Sequence, residues 1–480
     1  MLFLLILFAV CCMIFVTNSG ICFSPDSVNY LNAAQNLREG NGLTLTWFQA
    51  EPQLMQKFPP GYAVLLATVA ANLSAIRLLH VIIFALNLST IVFILYISGN
   101  SIKTMIVAII YVLSSTTLLS LHTIMLSEAP FLLLLQLFLM LLYRKNYVLA
   151  AVIAAIATGF RYAGVAFLPV GFVIIFFFDA EATWRERISN ILSSGIVYLV
   201  MIIAIFGYLF TSGEGNLIGG RSIYLHPISG AHILQGIRTL SLWTLPFVLC
   251  FGFIWRVVLR KRNIKLTINR ISTISATFSL VYITFLVTSI SIFDFFTPLD
   301  SRILSPILIC SVFILATAFN PVITTKPITR IERFGYHIFL SIFLIYSLLA
   351  FSINYFDSLI NGSGSVPYLD EEIITFVEEL PSSTVLYSNE SAVLYLRFEQ
   401  RGLYLPFKFT PTNRQINNNY ETEIDTMWRN VKQGDALIIY FNSIPWNDSF
   451  LISYDELIGT CPLPLLFESA TIFSESHCEG

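Results

Sequence analysis

Charge is scarce in this chain: only 12% of its 480 residues are Asp, Glu, Lys or Arg. A soluble domain carries roughly 25%. The composition therefore excludes a cytosolic enzyme, a nucleic-acid binder and a disordered chain. No CxxC pair and no Cys/His metal spacing occurs, and there is no internal repeat or low-complexity tract. The alternating ten-residue segments of a transmembrane barrel are missing too. What is abundant is apolar: 56% hydrophobic residues, including Phe 41 and Tyr 21, and a mean hydropathy of +0.75. These figures predict an α-helical polytopic membrane protein.

A helix needs about 20 apolar residues to cross a bilayer. Runs near that length fall at 1–17, 75–98, 103–121, 128–143, 146–160, 162–178, 190–211, 240–258, 272–293, 303–320 and 336–355, which makes about eleven transmembrane helices. The first run lacks the basic flank and A-x-A-like site of a signal peptide and reads as a retained span. With the first loop (18–61) outside, the alternate loops hold 14 basic residues, among them Lys103, Arg144, Lys145, Arg185, Arg187 and Arg260. The other side holds seven: Arg38, Lys57, Arg77, Arg161, Arg221, Arg238 and Arg302. The excess of cations on the cytoplasmic side puts the N-terminus inside, as a multi-pass protein of the plasma (inner) membrane.

The net charge of −2 conceals a division. Residues 1–355 carry 21 Lys and Arg against 11 Asp and Glu; residues 356–480 carry 6 against 18. Asp370–Leu380 reads as an acidic amphipathic helix, Thr384–Ser388 as a strand, and Ala392–Leu396 as strand or short helix. Thr426–Lys432 suggests a helix and Asp435–Phe441 a buried strand. Residues 1–355 are thus expected to form the membrane domain, and 356–480 a small extracytoplasmic α/β domain. Its Cys461 and Cys478 can pair if that side is oxidising. Cys11, Cys12, Cys250 and Cys310 lie in apolar runs and read as small hydrophobes.

Charged residues beside an apolar span are costly, and so mark functional candidates. Asp26 follows the first span, in SPDSVNYLNAAQNLREGNGL, where Asp26, Tyr30, Ala33, Ala34 and Leu37 share one helical face. Ser24 or Asp26 can cap that helix, and Gly40 or Gly42 can end it, so Asp26 reads either as a cap or as a site acid. Glu128 opens a span in HTIMLSEAPF, where Ser127 or Glu128 suits the helix dipole. Arg161 stands between two apolar runs and Arg302 opens another. Lys57 precedes FPPGY, where Pro59 and Pro60 stiffen the chain and Gly61 starts a helix. One boundary arginine is explained by snorkelling. Three cations and two acids, each beside a different helix, look more like a site for an anion such as phosphate.

Taken in order, Asp26 with Tyr30, Ala34, Leu37, Gly40 and Gly42, then Lys57-Phe-Pro-Pro-Gly-Tyr62, Ser127-Glu128, Arg161, Arg302 and the tail's LYSN (386–389) resemble the membrane-embedded GT-C glycosyltransferases. The likeness is to bacterial relatives of protein O-mannosyltransferases and aminoarabinose transferases, in glycosyltransferase family 39. It implies a hexosyl- or pentosyltransferase that takes a sugar from a polyprenyl-phosphate donor. The acceptor would be a glycan, lipid or protein on the non-cytoplasmic face, with no nucleic acid as partner. By this likeness Asp26 is the general base. Glu128 orients the acceptor or holds an arginine. Lys57, Arg161 and Arg302 bind the donor phosphate, and Tyr30, Pro59, Pro60 and Tyr62 shape the substrate site. Several relatives carry two adjacent acids where Asp26 is flanked by Pro25 and Ser27, so a divalent metal has no ligand motif here and no cofactor is assigned. Two other readings are a secondary transporter or lipid flippase, and a non-catalytic envelope-assembly subunit. Transporters usually place ionisable residues near the midplane and show internal repeats; these candidates cluster at one boundary.

Overall fold

The computed structural model describes residues 2–18, 20–47, 52–211, 230–254, 269–293 and 299–324. In the C-terminal part it describes 371–381, 384–398, 402–409, 416–442 and 450–478, with isolated positions between. The chain divides into two compact units. One comprises Met1–Cys22 and Gln56–Gly362, the other Phe23–Met55 and Ser363–Gly480. The sequence reading kept residues 18–61 with the membrane part; in the structure Phe23–Met55 belongs with the tail.

The helices run in chain order α1 (Leu2–Val16), α2 (Pro25–Arg38), α3 (Gly61–Thr68), α4 (Leu73–Ile97), α5 (Ile102–Leu113), α6 (Thr116–Thr123), α7 (Glu128–Tyr143) and α8 (Tyr147–Phe160). After a 3-10 segment (Tyr162–Ala166) come α9 (Phe167–Val173), α10 (Trp184–Phe206), α11 (Tyr208–Thr211), α12 (Gly230–Ile254), α13 (Arg270–Ile292) and α14 (Ser301–Thr324). All but α2 belong to the first unit. Among the described residues four helices are long and apolar enough to cross a membrane, or five if α5 and α6 form one broken span.

The difference from eleven runs has local causes. The run 103–121 is bent by 66°, because Ser114 ends α5 and the Ser115 side chain accepts from Leu118 N to start α6. α1, α7 and α8 have 15, 16 and 14 residues. At 1.5 Å per residue, α7 extends about 24 Å, short of a hydrocarbon core of about 30 Å. The 162–178 run is divided among 3-10, α and π turns. The run 336–355 lies largely outside the described residues. A shared apolar core including Phe131, Phe138, Phe167, Phe278 and Phe313 holds these helices. On α10, Leu192, Ile196, Leu199 and Ile203 are exposed, as a lipid-facing surface requires.

In the second unit, β1 (Thr44–Leu45) and β2 (Gln53–Leu54) form a small antiparallel pair. The tail builds a five-stranded sheet from β3 (Val385–Ser388), β4 (Gly402–Tyr404), β5 (Ala436–Phe441), β6 (Leu465–Leu466) and β7 (Ala470–Phe473), in the order β4-β3-β5-β7-β6. β3 pairs in parallel with both β4 and β5; β7 runs antiparallel to β5 and β6. Helix Ser391–Phe398 connects β3 to β4, and helix Tyr420–Lys432 connects β4 to β5. They join different apolar clusters: Val393 and Leu394 pack with Leu386 and Ile439, whereas Met427, Trp428 and Val431 pack with Ile438 and Tyr440. Cys461 is disulfide-bonded.

Candidate functional site

Glu128 is the first residue of α7, where a carboxylate meets the positive end of the helix dipole. Its side chain is 2% exposed, and one oxygen, Oε1, receives two guanidinium groups: Arg161 Nη1 at 2.5 Å and Arg302 Nε at 3.0 Å. Ser127 makes no side-chain cap; its hydroxyl lies 3.5 Å from both Glu128 Oε2 and Arg161 Nη1. Arg161 is at the break after α8, with extended backbone (φ −148, ψ 134) between two helical segments. That break allows its side chain to leave the helix path toward α7. Arg302 is in the first turn of α14, which Asp300 caps by accepting from Ile303 N at 3.0 Å. Tyr282 Oη of α13 donates to Ile303 O at 3.1 Å, fixing the same turn. Three candidates from three helices therefore meet in one ion cluster.

The FPPGY segment approaches Arg161 by backbone. A Cβ on Gly61 would lie 2.7 Å from Gly159 O, so only glycine lets α3 start against the end of α8. Tyr162 Oη donates to Gln56 O at 2.8 Å. Lys57 itself is exposed, with its ammonium 5.7 Å from the centre of the Phe58 ring. It makes no ion pair among the described residues and does not join the arginines. Pro59 and Pro60 are buried.

Tyr62 is fully buried, and its hydroxyl is 2.6 Å from His80 Nε2. His80 Nδ1 meets His122 O at 3.1 Å, and His122 Nδ1 meets Leu118 O at 2.6 Å. Both Nδ1 atoms face carbonyls, so they carry the protons and both Nε2 atoms accept; the partners assign the tautomer. Asn87 Nδ2 reaches His122 Nε2 and Ala129 O, each at 3.2 Å, and Gln136 Nε2 donates to Asn87 Oδ1 at 2.6 Å. Tyr62 thus anchors a buried polar chain that ends on α7, one residue beyond Glu128. The sequence signal was present: uncharged polar residues inside apolar runs.

Asp26 belongs to the second unit. Ser24, not Asp26, is the N-cap of α2, in a reciprocal capping box with Ser27. Gly40 (φ +85) follows the last turn in the left-handed conformation. α2 is buried on more than one face: Tyr30, Ala33 and Ala34 are covered, as are Asn32 and Asn36. Asn32 Oδ1 accepts from Thr46 N at 2.7 Å, Asn36 Nδ2 donates to Thr44 O at 2.8 Å, and Asn32 Nδ2 donates to Tyr395 Oη at 2.9 Å. Tyr395 also donates to Gln35 Oε1. Trp47 Nε1 donates to Asn29 Oδ1 at 3.2 Å, and its ring meets Tyr404 edge-on, 5.9 Å between centres. Tyr404 Oη donates to the buried Glu390 at 3.0 Å. Burial, then the Glu390 and Asp26 carboxylates, hold the Tyr404 phenol well above its ordinary range, so it stays neutral. Tyr395 carried no sequence signal, because it meets α2 only across some 360 residues; Tyr404 and Glu390 join it through Trp47, almost as far from them in the chain.

At the other end of α7, Lys145 pairs with Asp179 at 3.0 Å and with Glu181. Tyr147 Oη donates to Asp179 at 2.5 Å, and Arg270 donates to Tyr147 Oη at 3.3 Å. Burial would raise the Asp179 carboxyl, but hydrogen bonds from Tyr147 and Lys145 keep it below its usual value. An open cavity of about 410 Å³ lies beside these charges. No group of three His, Cys, Asp or Glu side chains comes together to hold a metal among the described residues.

Among the described residues these features define a largely helical protein with four or five helices long and apolar enough to cross a membrane, together with a unit built on a mixed five-stranded sheet. No protein-family model and no curated protein matches the chain. Among solved structures it is similar to ArnT from Cupriavidus metallidurans. The crystal structure bound to undecaprenyl phosphate has a TM-score of 0.65 at 11% identity, covering 98% of this chain and 97% of that one. The apo structure has a TM-score of 0.66 at 12% identity, covering 99% and 98%. At such identity the likeness is one of fold.

Proposed function

We propose that this chain is an integral membrane glycosyltransferase that moves a sugar from a polyprenyl-phosphate-linked donor to a hydroxyl of a glycan, lipid or protein acceptor on the non-cytoplasmic face. The observation that supports this reading most is the Arg161–Glu128–Arg302 cluster in a chain with the fold of an undecaprenyl-phosphate-bound ArnT. In the transfer, the acceptor oxygen bonds to the anomeric carbon as the bond from that carbon to the phosphate oxygen breaks. The acceptor proton goes to Asp26, and the departing phosphate keeps the bonding electron pair. Arg161 and Arg302 stabilise the charge that grows on that phosphate. Glu128 holds their forks in place rather than touching the acceptor. Purified full-length protein should consume lipid-linked sugar only when an acceptor is supplied. Consumption-free movement of the lipid between leaflets would instead identify a flippase.

Arg161→Ala and Arg302→Ala should each weaken donor binding about tenfold or more and leave acceptor binding within about twofold. Each guanidinium contributes charge-assisted bonds worth about 1.5–3 kcal/mol to an anion. Arg161→Lys should restore only part of the loss, since an ammonium lacks the planar fork. Titration with a labelled polyprenyl phosphate reads this directly; unchanged affinity in both alanine variants would return the arginines to a snorkelling role.

The same reading puts the N-terminus in the cytoplasm and the tail outside. The basic cluster of Lys145 and Arg270 at one end of α7 supports it, as does the disulfide at Cys461. A reporter fused after Arg333 should read cytoplasmic and one after Asp357 exported. The same side for both would contradict this topology.

A further inference from the structure

The tail's sheet has its topological switch at β3. The chain leaves β3 to form β4 on one side and returns over it to form β5 on the other. In such sheets the carboxyl ends of the strands around the switch open a crevice where functional groups gather. Here that edge carries four consecutive polar residues, Ser388, Asn389, Glu390 and Ser391, all buried. Asn389 ties β3 to β5 by donating to Phe441 O at 3.1 Å and accepting from Phe441 N at 2.8 Å. Glu390 reaches Tyr404, the last residue of β4. The Ser391 hydroxyl is buried with no hydrogen-bond partner among the described residues.

The element at this edge is α2 of the same unit. Tyr395 holds its third turn through Asn32 and Gln35. Trp47, packed on Tyr404, holds Asn29. Asp26 precedes Asn29 by three residues, so the two are neighbours on the helix surface, whereas Asn32 lies about 120° further round. The series of contacts runs from Tyr395 at the helix middle to Trp47 at Asn29, with Tyr404 packed behind Trp47.

We propose that Tyr404, fixed by Glu390, is a positioning residue for the Asp26 carboxylate, so that the C-terminal domain completes the base of the transfer reaction. The proposal rests on Asp26 being that base. The Tyr404 phenol is tied to a buried carboxylate and packed on Trp47, which in turn holds Asn29, one turn after Asp26. The base then meets the acceptor hydroxyl in one geometry. Glu390 and Tyr404 act through Asp26; neither takes the proton.

The test uses full-length protein in lipid vesicles with saturating acceptor. Tyr404→Phe removes one oxygen and keeps the ring. It should lower kcat about 30-fold, within the roughly 10²-fold that an ångström of misplacement costs, with donor KM changed less than about twofold. Glu390→Ala should match it. Glu390→Gln still offers Tyr404 an oxygen and should recover kcat to within about threefold of the natural protein. In an Asp26→Asn background, Tyr404→Phe should cost nothing further, because residues acting as one unit are not additive. Natural kcat in Tyr404→Phe would overturn the proposal. So would a donor KM rising in step with the fall in kcat, or an equal loss in the Asp26→Asn background, since either marks general damage. Near-normal transfer by Asp26→Asn alone would reject the base assignment itself, and with it any residue that positions the base.

Discussion

Asp26→Asn is expected to reduce transfer by about 10³-fold while the protein stays folded. General base catalysis contributes roughly 10²–10⁴-fold, and an amide cannot accept the acceptor's proton at neutral pH. The structure removes the main alternative, because the helix cap is Ser24 with Ser27, and Asp26 stands inside the first turn. The structural cost is small: loss of a carboxylate near a helix N-terminus is worth about 0.3–1 kcal/mol. Thermal unfolding should therefore move by a few degrees at most, and donor binding should be unchanged. A variant that keeps near-normal turnover would show that the acid only serves the helix dipole.

Glu128→Ala should have the second-largest effect, and through geometry rather than charge. Two consequences oppose each other at this site. Removing the carboxylate raises the cluster's net charge, which strengthens its attraction to a phosphate. It also frees two guanidiniums that converge on one oxygen. Loss of that fixed arrangement costs turnover about 10²-fold, so geometry wins. Donor affinity should change less than about tenfold while kcat falls about 100-fold. Breaking a buried pair by removing one partner costs about 3–5 kcal/mol; the lower end applies, because Arg302 is 36% exposed and partly screened. Glu128→Gln should keep the packing and reproduce the fall in kcat. Full turnover in the glutamine variant would mean that the arginines find their positions unaided.

Much of this was legible in the sequence, and the reasons differ by residue. Glu128, Arg161 and Arg302 could be grouped because a charge beside lipid is costly and must find a partner. The bounds of α2 followed from local rules, with serine to begin it and glycine to end it. The tail's helix and strand segments showed through their own periodicity. Lys57 was grouped by sign alone, and the structure leaves it exposed over Phe58. Tyr62 is assigned to the substrate site by the family likeness alone, and no local pattern shows that its hydroxyl meets His80. Ser114 and Ser115 broke an apolar run that hydropathy averages over. The joining of the first loop with the tail had no local signature, since neither segment shows which distant surface covers its polar face.

Asn32 and Tyr395 are 363 positions apart in the chain, and this separation has a consequence in time. At synthesis rates of about 5–20 residues per second, roughly 20–70 s pass between the appearance of α2 and that of the tyrosine that holds it. During that interval α3 to α14 are made, while Asn32 and Trp47 are without their tail-side partners. Formation of the second unit is then a closure between the start and end of the chain, the slowest kind of contact by topology. The earliest acid to be made becomes fixed among the last.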